Sequence, residues 1–253
     1  METIRISEYD EIFRDIEKMR VEISTLINER DDLLFNICKN IEAKYIQSVG
    51  ALEYKVYKAE CLYRQLKRKA QLIQAKKNCQ VPIDVSEIDR QLEDEMEEYK
   101  QAMGQRLRAI NKALSWFSGK IVPPKLVEEE KRLYRSIVKA LHPDLNPDLT
   151  QEQKEMFLRA VEAYKTHDIE ALRLIYTVAI DPITEEKDQS FLDLVKKRDK
   201  LYEAMLRVKK EIVQIKSRFP YTMKDFVNDE TAIKIKGWNL RVEFLIISKP
   251  ARR

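Results

Sequence analysis

An all-α fold is predicted by three features of this 253-residue chain: only four glycines and eight prolines, a charged fraction of 36%, and apolar residues spaced by three and four over long stretches. Few glycines leave few sites for the turns that join strands, which argues against a β-rich chain. Charge above the usual ~25%, in stretches rich in Glu, Lys, Leu and Arg, points to extended helices with much exposed surface. The expected architecture is elongated.

From Tyr9 the apolar positions run Ile12, Ile16, Met19, Ile23, Leu26, Leu33 and Ile37, with Arg30 at the one charged seam position. This is a heptad pattern, and its drift through Ile41 and Tyr45 predicts a helix of ~40 residues, with a break near Gly50. A second helix carries Leu52, Val56, Ala59, Leu62, Leu66 and Ile73 on one face. A connector around Asn78 to Pro82 follows it. A third helix is predicted from Asp84, with Glu87 placed to complete a capping box, and its stripe runs from Ile88 through Leu92, Tyr99, Met103 and Ile110 to Leu114.

Charge along these helices is uneven. Between Glu53 and Lys77 eight bases stand against two acids, and between Asp84 and Lys100 eight acids stand against two bases. Neighbouring segments of opposite sign, each with one apolar face, predict an antiparallel coiled-coil arm.

Ser118 to Pro124, with Gly119 and the Pro123-Pro124 pair, predicts a domain boundary, and Pro124 suits the first position of the next helix. Short helices are expected to Leu141, after Thr150 and after Asp168. Beyond the Asp181-Pro182 turn a long pattern resumes from Phe191 to Ile215 and ends at Phe219-Pro220. After a short helix beyond Thr222, the apolar stretch Trp238 to Ile247 reads equally as helix or strand. The segments are thus 1–118, an N-terminal coiled-coil arm; 119–182, a short helical hairpin; and 183–253, a C-terminal coiled-coil helix and tail.

Several functions are set aside by composition. Gly50, Gly104, Gly119 and Gly237 are too scattered for a phosphate-cradling loop. Cys38, Cys61 and Cys79 form no Cys-x-x-Cys pair and have only His142 and His167 to join them, so neither a metal site nor any cofactor is expected, and the cysteines read as buried packing residues. Sparse cysteines, no basic-then-apolar leader and no run of 18 apolar residues lead to the expectation of a cytoplasmic protein with no membrane partner. No nucleophile and base stand together, so the chain is not expected to be an enzyme. A net charge of +4 does not call for nucleic acid.

The middle of the chain carries the functional signal. Tyr134, Ile137, Val138 and Leu141 make one apolar helix face, while Lys131, Arg135 and Lys139 fall at i, i+4, i+8 as a basic stripe. Pro143 disfavours helical geometry at His142, so the helix must end there. Asp144 is placed to accept backbone hydrogens in the turn, and Thr150 with Gln153 forms the capping box of the next helix. The face formed by Phe157, Ala160, Val161 and Tyr164 then packs back. The product is an antiparallel helical hairpin with an exposed His-Pro-Asp loop.

This stretch, from Lys125 to Ile175, resembles the J domain of DnaJ-type co-chaperones, whose pattern is a basic helix, a His-Pro-Asp loop and an antiparallel helix with a Phe and an Ala-Tyr pair. The family's usual Tyr-x-x-Leu-Gly helix before the basic helix has no counterpart between Trp116 and Lys125. The resemblance implies docking on a DnaK-type ATPase chaperone and stimulation of its ATPase. It makes His142, Pro143 and Asp144 the trigger, and Lys131, Arg132, Arg135 and Lys139 the docking face. The arms would bind a client protein or a second copy of the chain. One alternative is a coiled-coil scaffold in which the hairpin is only structural. Another is a basic coiled-coil nucleic-acid binder using Lys67 to Lys69 and Lys76-Lys77.

Overall fold

The computed structural model describes residues 2–117, 123–179 and 191–249. The expected boundary at 118/119 and the Asp181-Pro182 turn lie outside the described residues. Ten α-helices are present among the described residues, and no strand: α1 (Glu2–Asp32), α2 (Cys38–Tyr45), α3 (Ala51–Asn78), α4 (Val85–Glu95), α5 (Glu97–Phe117), α6 (Pro124–Leu141), α7 (Gln151–Thr166), α8 (Ile169–Ala179), α9 (Phe191–Lys216) and α10 (Glu230–Ser248). The fold class is all-α.

The chain forms two compact units that cut across the three segments of its sequence. One comprises Met1–Lys39 and Lys120–Tyr221, the other Asn40–Gly119 and Thr222–Arg253. Each unit is therefore built from stretches distant in the chain.

In the first unit, α1, α6, α7, α8 and α9 share one core. Ile23 and Ile27 of α1, Tyr134, Ile137 and Val138 of α6, Ala160 and Tyr164 of α7, and Leu172 of α8 are completely buried in it. From α9, Leu194, Leu201, Ala204 and Val208 close the cluster. α1 and α9 run parallel, because Lys209 pairs with Glu22 at 2.7 Å and Lys216 with Glu29 at 2.6 Å, so the partner number rises in step. The two pairs are seven residues apart on each helix, the interval of a heptad. Burying the apolar stripe of α1 requires a second stripe of matching length, and α9 supplies it from across the chain.

In the second unit, the expected antiparallel pairing of opposite charge is present. Lys76 pairs with Glu87, Lys69 with Asp89 at 2.5 Å, and Arg68 with Glu95 at 2.9 Å, so partner numbers rise on α4 as they fall on α3. The register extends into α5, where the Arg64 guanidinium donates to the Tyr99 hydroxyl and Arg106 lies 4.1 Å over the Tyr57 ring. Ile88, Leu92 and Cys61 are buried along this pair. Val49, Val56 and Leu240 form a smaller core where α10 packs on α3, flanked by Tyr45, Leu52 and Phe226.

Several local expectations are corrected. No break occurs at Gly50; Ile46–Gly50 is a single π-helical turn and the helix resumes at Ala51. A second π turn, Leu33–Ile37, follows the charged seam position and lets the helix absorb the drift of its apolar stripe. The third predicted helix is two helices, interrupted at Met96. Asp84 caps α4 by accepting from the amides of Ser86 and Glu87, but the Glu87 side chain pairs with Lys76 instead of reaching back, because the basic face of α3 lies opposite. Cys38 and Cys61 are buried as expected, whereas Cys79 is exposed just beyond α3. The stretch Trp238 to Ile247 is helical, within α10 and capped by Asp229.

Candidate functional site: the helical hairpin

α6 begins with Pro124 at its first turn and ends at Leu141. His142, at φ −72° and ψ 129°, is extended, as a residue preceding proline should be. The turn that follows differs from expectation in its hydrogen bonding. The Asp144 amide donates to Nδ1 of His142 at 3.1 Å, so the imidazole and not the carboxylate satisfies the loop backbone. Asn146 Nδ2 donates to the Lys139 carbonyl at 3.0 Å and ties the loop to the last turn of α6. Thr150 and Gln153 form the complete capping box of α7. Leu145 is buried beneath the turn while Pro143 and Asp144 are exposed.

The two helices are held by their aromatic residues. Tyr134 and Tyr164 stack with ring centroids 4.1 Å apart and planes 4° from parallel, worth about 1 kcal/mol beyond simple burial. His142 lies edge-on to Phe157 at 5.1 Å. Burial lowers the His142 pKa to about 4, so its ring is neutral at physiological pH and free to accept from the Asp144 amide.

The predicted docking cations divide into two groups. Arg132 and Arg135 are exposed, and Arg132 feels the carboxylate of Glu129 one turn earlier on the same helix; Lys139 is exposed, with Glu17 of α1 at 3.7 Å. These three, at i, i+3 and i+7, share one face. Lys131 differs from these three in being engaged by an acid of α1. Its Nζ pairs with Oδ2 of Asp32 at 2.7 Å, because each four-residue step overshoots the 3.6-residue turn by about 40° and so offsets Lys131 from Arg135 and Lys139, towards α1. At the loop, Arg207 of α9 stands 3.5 Å from Asp144, with both side chains well exposed. A cleft of about 220 Å³ separates the loop at Pro143, Asp144 and Pro147 from Lys200, Leu201 and Arg207 of α9.

Sequence reasoning missed the polar contacts that α1 makes with the hairpin. Asp31, almost completely buried, accepts from the Tyr134 hydroxyl at 2.7 Å and pairs with Arg30 at 2.8 Å. Burial pushes the Asp31 carboxyl above its usual range, against the pull of Arg30 and of the Tyr134 hydrogen bond. Both tyrosine hydroxyls are pushed up as well, first by burial and then by the neighbouring Asp31 and Asp32. Arg20 of α1 donates to Asn146 Oδ1 at 2.5 Å, anchoring the loop. A signal existed: Ser24, Asn28 and Asp31 fall at i, i+4, i+7, a polar stripe beside the apolar seam, and all three are buried.

His167 ends α7 at a left-handed φ of 59°. Its Nδ1 lies 3.1 Å from both oxygens of Glu130, a carboxylate only 2% exposed. That hydrogen bond raises the His167 pKa.

The described residues make an all-α protein, and its first unit carries a helical hairpin whose loop is exposed at Pro143 and Asp144. No family model matches the chain, and neither a curated protein nor a solved structure is significantly similar to it. Among the described residues no helix is long and apolar enough to cross a membrane, and no group of three or more His, Cys, Asp or Glu is placed to hold a metal ion.

Proposed function

We propose that the chain is a J-domain-like co-chaperone whose hairpin docks on a DnaK-type ATPase and stimulates ATP hydrolysis. The observation that carries this reading is the exposure of Arg132, Arg135 and Lys139 on one face of α6 together with that of Pro143 and Asp144 in the loop that follows. Aligned cations favour approach to an acidic surface and fix its orientation, while the loop tip makes the compact contact. His142 acts indirectly, holding the loop backbone through its neutral Nδ1. The hairpin does no covalent chemistry itself. The arm of α3, α4 and α5 is the region available to a client or partner.

The test is the ATPase rate of a DnaK-type chaperone from the same cell with the full chain added. Stimulation of several fold is expected, and Asp144→Asn should abolish it while leaving the helical signal intact. His142→Gln is the poorer control, because it also removes the ring that packs on Phe157. No stimulation by a correctly folded chain overturns the reading.

A scaffold role is the second reading, and it draws on Lys131, which Asp32 already engages, and on Arg207 beside Asp144. A folded chain that leaves the ATPase unchanged favours it. Nucleic-acid binding has less support, since Arg68, Lys69 and Lys76 face acids of the protein's own α4.

A further inference from the structure

α10 lies alongside the first half of α3, with Gly237 against Leu52, and their sides leave an open apolar groove towards the C-terminal end of α10. Its volume is about 1020 Å³. The floor is formed by Ala59, Leu62 and Leu66 of α3 and by Phe244 and Ile247 of α10. Leu62 and Leu66 are 55% and 57% exposed, although they lie on the face that the heptad-like stripe of α3 assigns to packing. An apolar helix face with a groove beside it is a two-helix surface waiting for a third helix.

The groove rim is basic. Lys55, Lys58 and Lys249 line it, none has an acidic partner among the described residues, and no acid lines the groove. From Lys55 to Leu66 the lining extends over twelve residues of α3, a rise of about 16 Å at 1.5 Å per step, the length of three helical turns. We infer that the groove binds an amphipathic helix of a partner protein, its apolar face on Leu62, Leu66 and Phe244 and its flanks carrying Glu or Asp against the three lysines. Helix-in-groove docking of this kind takes its affinity from apolar anchors at i, i+3/i+4 and i+7, and its selectivity from the flanking charge. The inference deepens the partner-binding half of the proposed function and does not depend on the chaperone half.

The test uses the full-length chain and two hydrocarbon-stapled 18-residue helical peptides. Both carry Leu at i, i+3, i+7 and i+10, one with Glu flanking that face and the other with Lys, and binding is followed by fluorescence anisotropy. The Glu peptide should bind at least tenfold more tightly than the Lys peptide. Leu66→Asp should weaken it tenfold or more, and Lys55→Glu with Lys58→Glu should reverse the preference; all these side chains are exposed, so the variants should keep the wild-type melting temperature. Binding of neither peptide, equal binding of both, or binding indifferent to Leu66→Asp overturns the inference. Sedimentation of the full chain is the second measurement: a dimer that Leu66→Asp dissociates would make a second copy the occupant and would equally overturn it. ATPase stimulation is measured separately, so failure of the groove and failure of the chaperone reading give different results.

Discussion

The Tyr134 hydroxyl donates to the carboxylate of Asp31, 103 residues earlier, at 2.7 Å in a fully buried setting. Tyr134→Phe removes the donor and leaves a buried carboxylate short of a partner, which should cost about 1–3 kcal/mol. Asp31→Asn keeps an acceptor for the hydroxyl and removes a charge that burial already disfavours, while Arg30 retains Glu211 at 3.2 Å. It should therefore stay within about 1 kcal/mol of wild type. Urea unfolding of both variants checks the order, and equal losses would mean that the hydrogen bond contributes little.

The two histidines should give opposite pH dependences. His142 is depressed to about 4 by burial, so its neutral form stabilises the fold above an unfolded pKa near 6.5, and that stability is lost as pH falls from there to about 4. The span is worth about 3 kcal/mol. His167 is raised by its hydrogen bond to Glu130, so its contribution is present below pH 6.5 and is lost as pH rises through the raised value. His142→Gln should flatten the acid limb of the stability curve. His167→Gly relieves a left-handed φ but leaves Glu130 buried and unpaired, so it should destabilise most at acidic pH. Chemical denaturation at half-unit pH intervals separates the two.

Much of the fold was legible because helix faces are written locally. The Thr150-Gln153 capping box, Pro124 in the first turn and the extended His142 each follow from residues within four positions of one another. Pairing is not local. The stripe of α1 said that a partner was needed but not that α9, 187 residues later, would run parallel to it, since any apolar stripe of that length satisfies the same periodicity. The arm of α3 and α4 was readable because opposite charges stood on adjacent segments with a short connector. The basic stripe of α6 was readable but its pairing was not: only the position of α1 decides that Lys131 turns to Asp32 while Arg132 stays in solvent.

Two glycines inside helices should respond oppositely to alanine. A Cβ at Gly50 would stand 2.9 Å from Cγ2 and 3.3 Å from Cβ of Ile46, a branched side chain on the π turn with little freedom to yield. Gly50→Ala should cost about 1–3 kcal/mol. At Gly104 the nearest atom is the far end of the Arg108 side chain at 3.4 Å, so Gly104→Ala should stabilise by about 0.5–1 kcal/mol through helix propensity alone. Thermal melts of the two variants should move in opposite directions; a Gly50→Ala melt that does not fall would show that the π turn tolerates the methyl group, and a Gly104→Ala melt that does not rise would show that propensity does not govern that site.

The exposed and the engaged cations of α6 should separate function from stability. Arg132→Glu with Arg135→Glu reverses two exposed charges, of which Arg132 has Glu129 as an acidic neighbour, so unfolding should change by no more than about 1 kcal/mol, while the chain concentration giving half-maximal ATPase stimulation should rise at least tenfold. Lys131→Ala strips the partner from Asp32, whose side chain is 15% exposed and sits beside Tyr164 at 3.4 Å; it should cost about 1 kcal/mol and leave the stimulation of the folded fraction unchanged. Raising salt should mimic the first pair and not the second, because screening weakens long-range attraction between exposed charges more than a short, partly buried contact. If Lys131→Ala instead removed stimulation without loss of stability, the docking surface would have to extend over the face that α1 covers.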